Sequence, residues 1–173
     1  MSLKHDVYEA YKRHILDHTE ENRSGALAMR ESLEHSPLWW NGIVEKTVHI
    51  PKIYDEEDIG RFGRIASVTH RIFEKVIREY REHEDFRRLY SFPKELEELI
   101  LLPVPYEGYL PIARFDLFLN EDTGQFRFCE INTDGTAAML RDLELRRQLI
   151  NNPAHQAVIR RYHLEPFELF DTW

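Results

Sequence analysis

Cysteine is nearly absent: Cys129 stands alone in 173 residues. One thiol makes neither an internal disulfide nor a Cys-based zinc site, so disulfide-stapled modules and zinc fingers are excluded. Long apolar runs are missing too. No stretch approaches the roughly 18 apolar residues of a membrane span. The opening Met-Ser-Leu-Lys-His-Asp has no apolar core of signal-peptide length. A reducing, cytoplasmic compartment is the expectation, with no membrane partner. Excess positive charge is also lacking, since 23 Lys and Arg face 31 Asp and Glu for a net charge of −8. A sequence-independent hold on nucleic acid needs a basic face, so nucleic acid is not an expected partner. Two nucleotide and hydrolase signatures fail as well. Gly60-Arg61-Phe62-Gly63 lacks the Gly-Lys-Ser/Thr ending of a phosphate loop, and no Gly-x-Ser-x-Gly elbow occurs.

What remains is an ordinary globular composition: 42% hydrophobic residues and enough aromatics (10 Phe, 8 Tyr, 3 Trp) for a core. Asp6 and Glu9 have capping-box spacing, and Val7, Tyr8, Tyr11, Ile15 and Leu16 follow on one helical face that fades near Glu20 to Gly25. A second helical stretch runs from Ala26 to about Leu33 and stops at Ser36-Pro37. Val44 to Ile50 alternates as a strand that Pro51 confines to an edge or an end. Trp39-Trp40 beside it reads as a core anchor.

The strongest periodicity is Ile59, Phe62, Ile65, Ala66, Ile72, Phe73, Val76, Ile77 and Tyr80. It predicts a helix over 55–84, roughly 45 Å long, as the spine of the core, with His70 at the edge of its apolar stripe. Short helices follow near Phe86–Tyr90 and Glu95–Leu102. Strands are expected at Ile112–Asn120 and Gln125–Asn132, then helices to about Ile150 and from Ala154 to His163, separated by Asn151-Asn152-Pro153. The fold class is α+β: a largely helical N-terminal part, a β-hairpin, then C-terminal helices, all in a single domain over 1–173.

The hairpin carries the anomaly. A three-residue loop Asp122-Thr123-Gly124, with glycine in the left-handed position, sets Glu121 against Gln125. Asp116 then faces Glu130, and Arg114 faces Asn132. Alternation puts these four on one face and Phe115, Leu117, Leu119, Cys129 and Ile131 on the other, with Cys129 a buried small hydrophobe. Two opposed carboxylates repel and call for a cation between them. Mg²⁺ takes oxygen ligands of this kind, and Arg114 and the helix start at Asp134-Gly135-Thr136 suit phosphate. A solvated sheet face with an Arg114–Asp116–Glu130 salt network fits the same pattern. His14 and His18, with Glu21 a turn on, have a spacing that can hold zinc, although a solvated face also accounts for them.

Arg114-Phe115-Asp116, followed by Cys129-Glu130-Ile131-Asn132-Thr133-Asp134-Gly135, resembles the glutathionylspermidine synthase-like family of circularly permuted ATP-grasp ligases. The resemblance is sharp over Pro111–Met139 and weaker over 39–50 and 141–170. It implies that Asp116, Glu130 and Asn132 hold Mg²⁺ on the phosphates of ATP. Arg114 would stabilise the transferred phosphoryl group or acyl phosphate, and Asp134 and Thr136 would contact substrate. The substrates implied are a small-molecule carboxylate and an amine. The family's lysines follow its metal strands, whereas here none follows Lys94, so the chain is expected to be the N-terminal portion of a larger synthetase. A non-enzymatic helical interaction module and a stand-alone cation- or anion-binding domain are the other readings.

Overall fold

The structure, a computed structural model, describes residues 3–44, 46–133, 137–167 and 169. Its class is α+β: seven α-helices and two antiparallel two-stranded sheets among the described residues. The chain divides into two compact units, one formed by Met1–Asp55 with Ala137–Trp173, the other by Glu56–Thr136. Among the described residues no helix is long and apolar enough to cross a membrane.

The first unit contains α1 (Leu3–Asp17), α2 (Thr19–Glu34), β1 (Trp39–Trp40), β2 (Ile43–Val44), α6 (Ala137–Gln148), a 3-10 turn (Leu149–Asn151) and α7 (Pro153–Ile159). The helix begins three residues before Asp6, and α1 and α2 are almost continuous. Only His18 leaves helical geometry (φ −129°, ψ 49°), while its N–H still bonds His14 O and its carbonyl accepts from Asn22 N. Val7 and Tyr11 of α1 meet Ala154 and Val158 of α7 in a fully buried cluster, with Ile15, Ile50, Ile53 and Leu164 packed around it. Met29 and Leu33 of α2 are buried as well. Gly25 permits this packing: a Cβ there would collide with Asn151 O and lie 2.5 Å from Pro153 Cδ.

The expected strand over 44–50 shrinks to Ile43–Val44, paired with Trp39–Trp40 across Asn41-Gly42. Both turn residues have positive φ (49° and 79°), the backbone of a tight type I′ hairpin, which Asn-Gly adopts readily. Trp39 is half exposed rather than a core anchor; its two-residue strand pairs with β2 in a two-stranded sheet.

The second unit contains α3 (Glu56–Glu82), α4 (Glu84–Arg87), α5 (Lys94–Ile100), β3 (Arg114–Leu119) and β4 (Phe126–Asn132). α3 matches the predicted helix closely but is not a core spine. Of its stripe only Tyr80 is buried; Phe62, Ile65, Ala66, Phe73, Val76 and Ile77 are half-buried, and Ile59 and Ile72 are exposed. Helices of four and seven residues and a two-stranded sheet offer too little apolar surface to cover a 27-residue helix.

Polar side chains of α3 organise the segment leading into β3. The Arg81 guanidinium donates to the carbonyls of Ile100, Leu101 and Leu102, closing the C-terminus of α5. Glu74 Oε1 accepts from the N–H groups of Tyr109 (2.6 Å) and Leu110 (2.7 Å), and His70 Nε2 bonds Leu110 O (3.0 Å). Gly108, with φ +77°, lets the backbone turn beneath Glu74. This clamp delivers the chain into Arg114.

Candidate functional site

β3 and β4 pair antiparallel with Arg114 opposite Asn132, Phe115 opposite Ile131 and Asp116 opposite Glu130. This is the expected register, reached by a different route. The loop is one residue longer than expected: Asn120, not Glu121, closes on Gln125, its N–H donating to Gln125 O at 2.9 Å. Asn120 Oδ1 accepts from the N–H groups of Asp122 and Thr123, and Gly124 holds φ +68°. That offset persists through Leu119↔Phe126, Phe118↔Arg127 and Leu117↔Phe128. A bulge between Asp116 and Leu117 then absorbs one residue, Cys129, and restores the expected pairs. The bulge changes the alternation, so Phe128 rather than Cys129 lies across from Leu117. Cys129 is therefore exposed and not a buried hydrophobe.

The four polar residues come together. Arg114 Nε donates to Asp116 Oδ1 at 3.2 Å, and Asn132 Nδ2 donates to Glu130 Oε1 at 3.1 Å. Both bonds run along a strand, between residues two apart on one face. Each carboxylate uses one oxygen in them, and a carboxylate accepts at about four lone-pair positions. Arg114 and Asp116 side chains are 35% and 38% exposed, so solvent or a ligand reaches the pair. The donor set is two carboxylates, an amide and a guanidinium. It suits a hard cation whose remaining ligands are water or phosphate oxygens, the usual manner in which Mg²⁺ is held. Asp134 and Thr136 lie outside the described residues.

The first unit holds a second polar cluster, which the sequence reading missed. Asn22 is almost fully buried; its Oδ1 accepts from Ala154 N (3.2 Å) and lies 3.1 Å from His49 Nε2. Its Nδ2 donates to His18 O and meets His14 Nδ1. Asn152, wholly buried, donates to His49 O and caps α7 by accepting from His155 N at 2.9 Å. The Tyr11 hydroxyl lies 2.6 Å from His155 Nδ1. Burial pushes the Tyr11 phenol up and holds both His49 and His155 below the ordinary histidine range. Asn152-Pro153 is a helix-start signature, a cap followed by proline at the first helical position, and could have exposed half of this cluster. Nothing local marks Asn22.

His14 and His18 do approach, their rings 4.6 Å apart, and His18 is 3.9 Å from Glu21. Yet among the described residues no three His, Cys, Asp or Glu side chains converge to hold a metal ion. His14 is instead tied to Asn22 in the buried cluster, which gives the pair a structural role. Comparisons with family models, with curated proteins and with solved structures give no match to this chain.

Proposed function

We propose that this chain carries the Mg²⁺- and phosphate-binding cluster of an ATP-dependent carboxylate–amine ligase of the glutathionylspermidine synthase-like type. The observation that carries the reading is the pairing of Asp116 with Glu130, flanked by Arg114 and Asn132, on a solvent-accessible hairpin face. The Arg-x-Asp and Glu-x-Asn sequences on facing strands add to it. In this reading Asp116, Glu130 and Asn132 supply oxygen ligands to the cation. Arg114, already aligned by Asp116, directs its remaining N–H groups at a phosphoryl oxygen and offsets charge that develops there. Asp134 and Thr136 contact substrate. Bound Mg²⁺ and ATP would supply the phosphoryl group that activates a carboxylate, and the amine would then displace phosphate.

Mn²⁺ binding by the 173-residue protein, followed by electron paramagnetic resonance, tests the cluster. Glu130→Gln and Asp116→Asn are each expected to weaken it by about tenfold or more, about 1.4 kcal/mol. Equal binding by wild type and both variants would sink the proposal. Ligation itself is expected to be absent from this chain, because no lysine follows Lys94 to clamp a nucleotide. Phosphate release with ATP, Mg²⁺ and a panel of thiol peptides and polyamines reads this directly, and clear turnover would contradict it.

A further inference from the structure

One face of α3 bears an unusual charge pattern. At 3.6 residues per turn, Arg64, Arg71, Lys75 and Arg78 fall within roughly 60° of one another along about 21 Å of helix. All four are exposed, and no ion pair engages them among the described residues. Arg71–Lys75 and Lys75–Arg78 are like-charge neighbours at four and three residues, an arrangement that disfavours the helix. Of the nearby acids two are engaged elsewhere, while Glu82, one turn beyond Arg78, makes no ion pair with it among the described residues. Glu74 accepts from Tyr109 and Leu110, and Glu79 lies 3.5 Å from His83. In a chain of net charge −8, this ridge concentrates positive charge, with Glu82 the acid at its C-terminal end.

Beside the ridge, one turn apart, Val68 and Ile72 are 47% and 56% exposed. Single exposed aliphatics are ordinary, but an adjacent pair edged by four unpaired cations is a mixed surface that water solvates poorly on one side. A second copy of the chain is a poor occupant. Two-fold packing through Val68 and Ile72 would bring Arg71 against its own symmetry mate. A phosphate backbone would satisfy the cations and leave the aliphatics wet. A bilayer needs a broad apolar face, and the side of α3 bearing Thr69 and Tyr80 is already buried. An acidic amphipathic helix satisfies both halves, with carboxylates on the cations and leucine-type side chains on Val68 and Ile72.

We infer that the exposed face of α3 formed by Val68 and Ile72 and edged by Arg64, Arg71, Lys75 and Arg78 docks an acidic amphipathic helix of a partner protein. This surface is separate in its residues from the hairpin cluster, so either proposal can fail alone.

The probe is a fluorescent helical peptide of about three heptads with Leu at the core positions and Glu on the flanks. Its binding to the full 173-residue protein is read by polarisation. Saturable binding that weakens with salt is expected. Arg71→Glu should reduce it by about tenfold or more, and Val68→Ser should reduce it several-fold. These side chains are exposed, so circular dichroism should be unchanged; if Arg71→Glu misfolds, Lys75→Gln serves in its place. No binding, or binding indifferent to both kinds of variant, overturns the inference. So does equal or tighter binding of duplex DNA or phosphatidylserine vesicles that is insensitive to Val68→Ser, which would make the ridge a general polyanion surface.

Discussion

The two units solve the same burial problem to different degrees. In the first, α1 and α7 enclose Val7, Tyr11, Ala154 and Val158 completely, and a second layer of Asn22, Asn152 and His155 satisfies the polar groups that burial strands. In the second, the most amphipathic helix of the chain leaves most of its apolar stripe half covered. Amphipathicity in a sequence states which face wants a partner. Whether the partner exists depends on what the rest of the fold can bring to that face. Here the helix with the weaker pattern is the better buried, because α7 returns to it from the far end of the chain.

Core truncation puts the contrast to its hardest test. Leu33→Ala, at a site 2% exposed, should destabilise the first unit by about 2–5 kcal/mol. Gly25→Ala should cost about 1–3 kcal/mol, since the added methyl overlaps the Asn151 carbonyl and Pro153. Ile77→Ala in α3 should cost only about 1 kcal/mol, in keeping with half burial. Urea midpoints give all three values. Equal losses at Leu33 and Ile77 would erase the distinction between the units.

Acid should sharpen it. His49 and His155 are held below the usual histidine pKa by burial, so the unfolded chain takes up protons first as pH falls. Stability is therefore fully present above about pH 6.5 and is lost progressively below it, toward the depressed folded pKa values. The loss should register in the first unit, where Trp39 serves as a fluorescence reporter, and His155→Gln should flatten it. A profile flat from neutral to mildly acidic pH would remove the buried histidines from the account. The smallest effect is expected at the hairpin, where Glu130→Gln should move apo stability by less than about 0.5 kcal/mol. A clear destabilisation would favour a structural salt network around Arg114 over a ligand site.

The elements themselves were largely legible. α3, α5, both hairpin strands and the break at Asn151–Pro153 lie within a few residues of where periodicity and turn residues put them. Errors arose where non-local geometry overrode a local cue. Gly25 falls where the first apolar face fades, yet it lies inside α2, where its missing side chain leaves room for Asn151 and Pro153. Cys129 looked inward by alternation and faces outward because a bulge breaks that alternation. Asn41-Gly42 is different: its hairpin signal is local and could have been read.

The chain by itself determined the helices and the hairpin, because these depend on residues close in sequence and on a repeat of 3.6 or 2; the pairing of Asp116 with Glu130 came out as expected only because a longer loop and a bulge offset each other. Tertiary structure alone decided which apolar faces were covered, which histidines were buried and that Asn22 would meet Ala154, 132 residues away. Those outcomes depend on which segments the folded backbone brings together, and burial, unlike periodicity, is a property of the neighbours rather than of the residue.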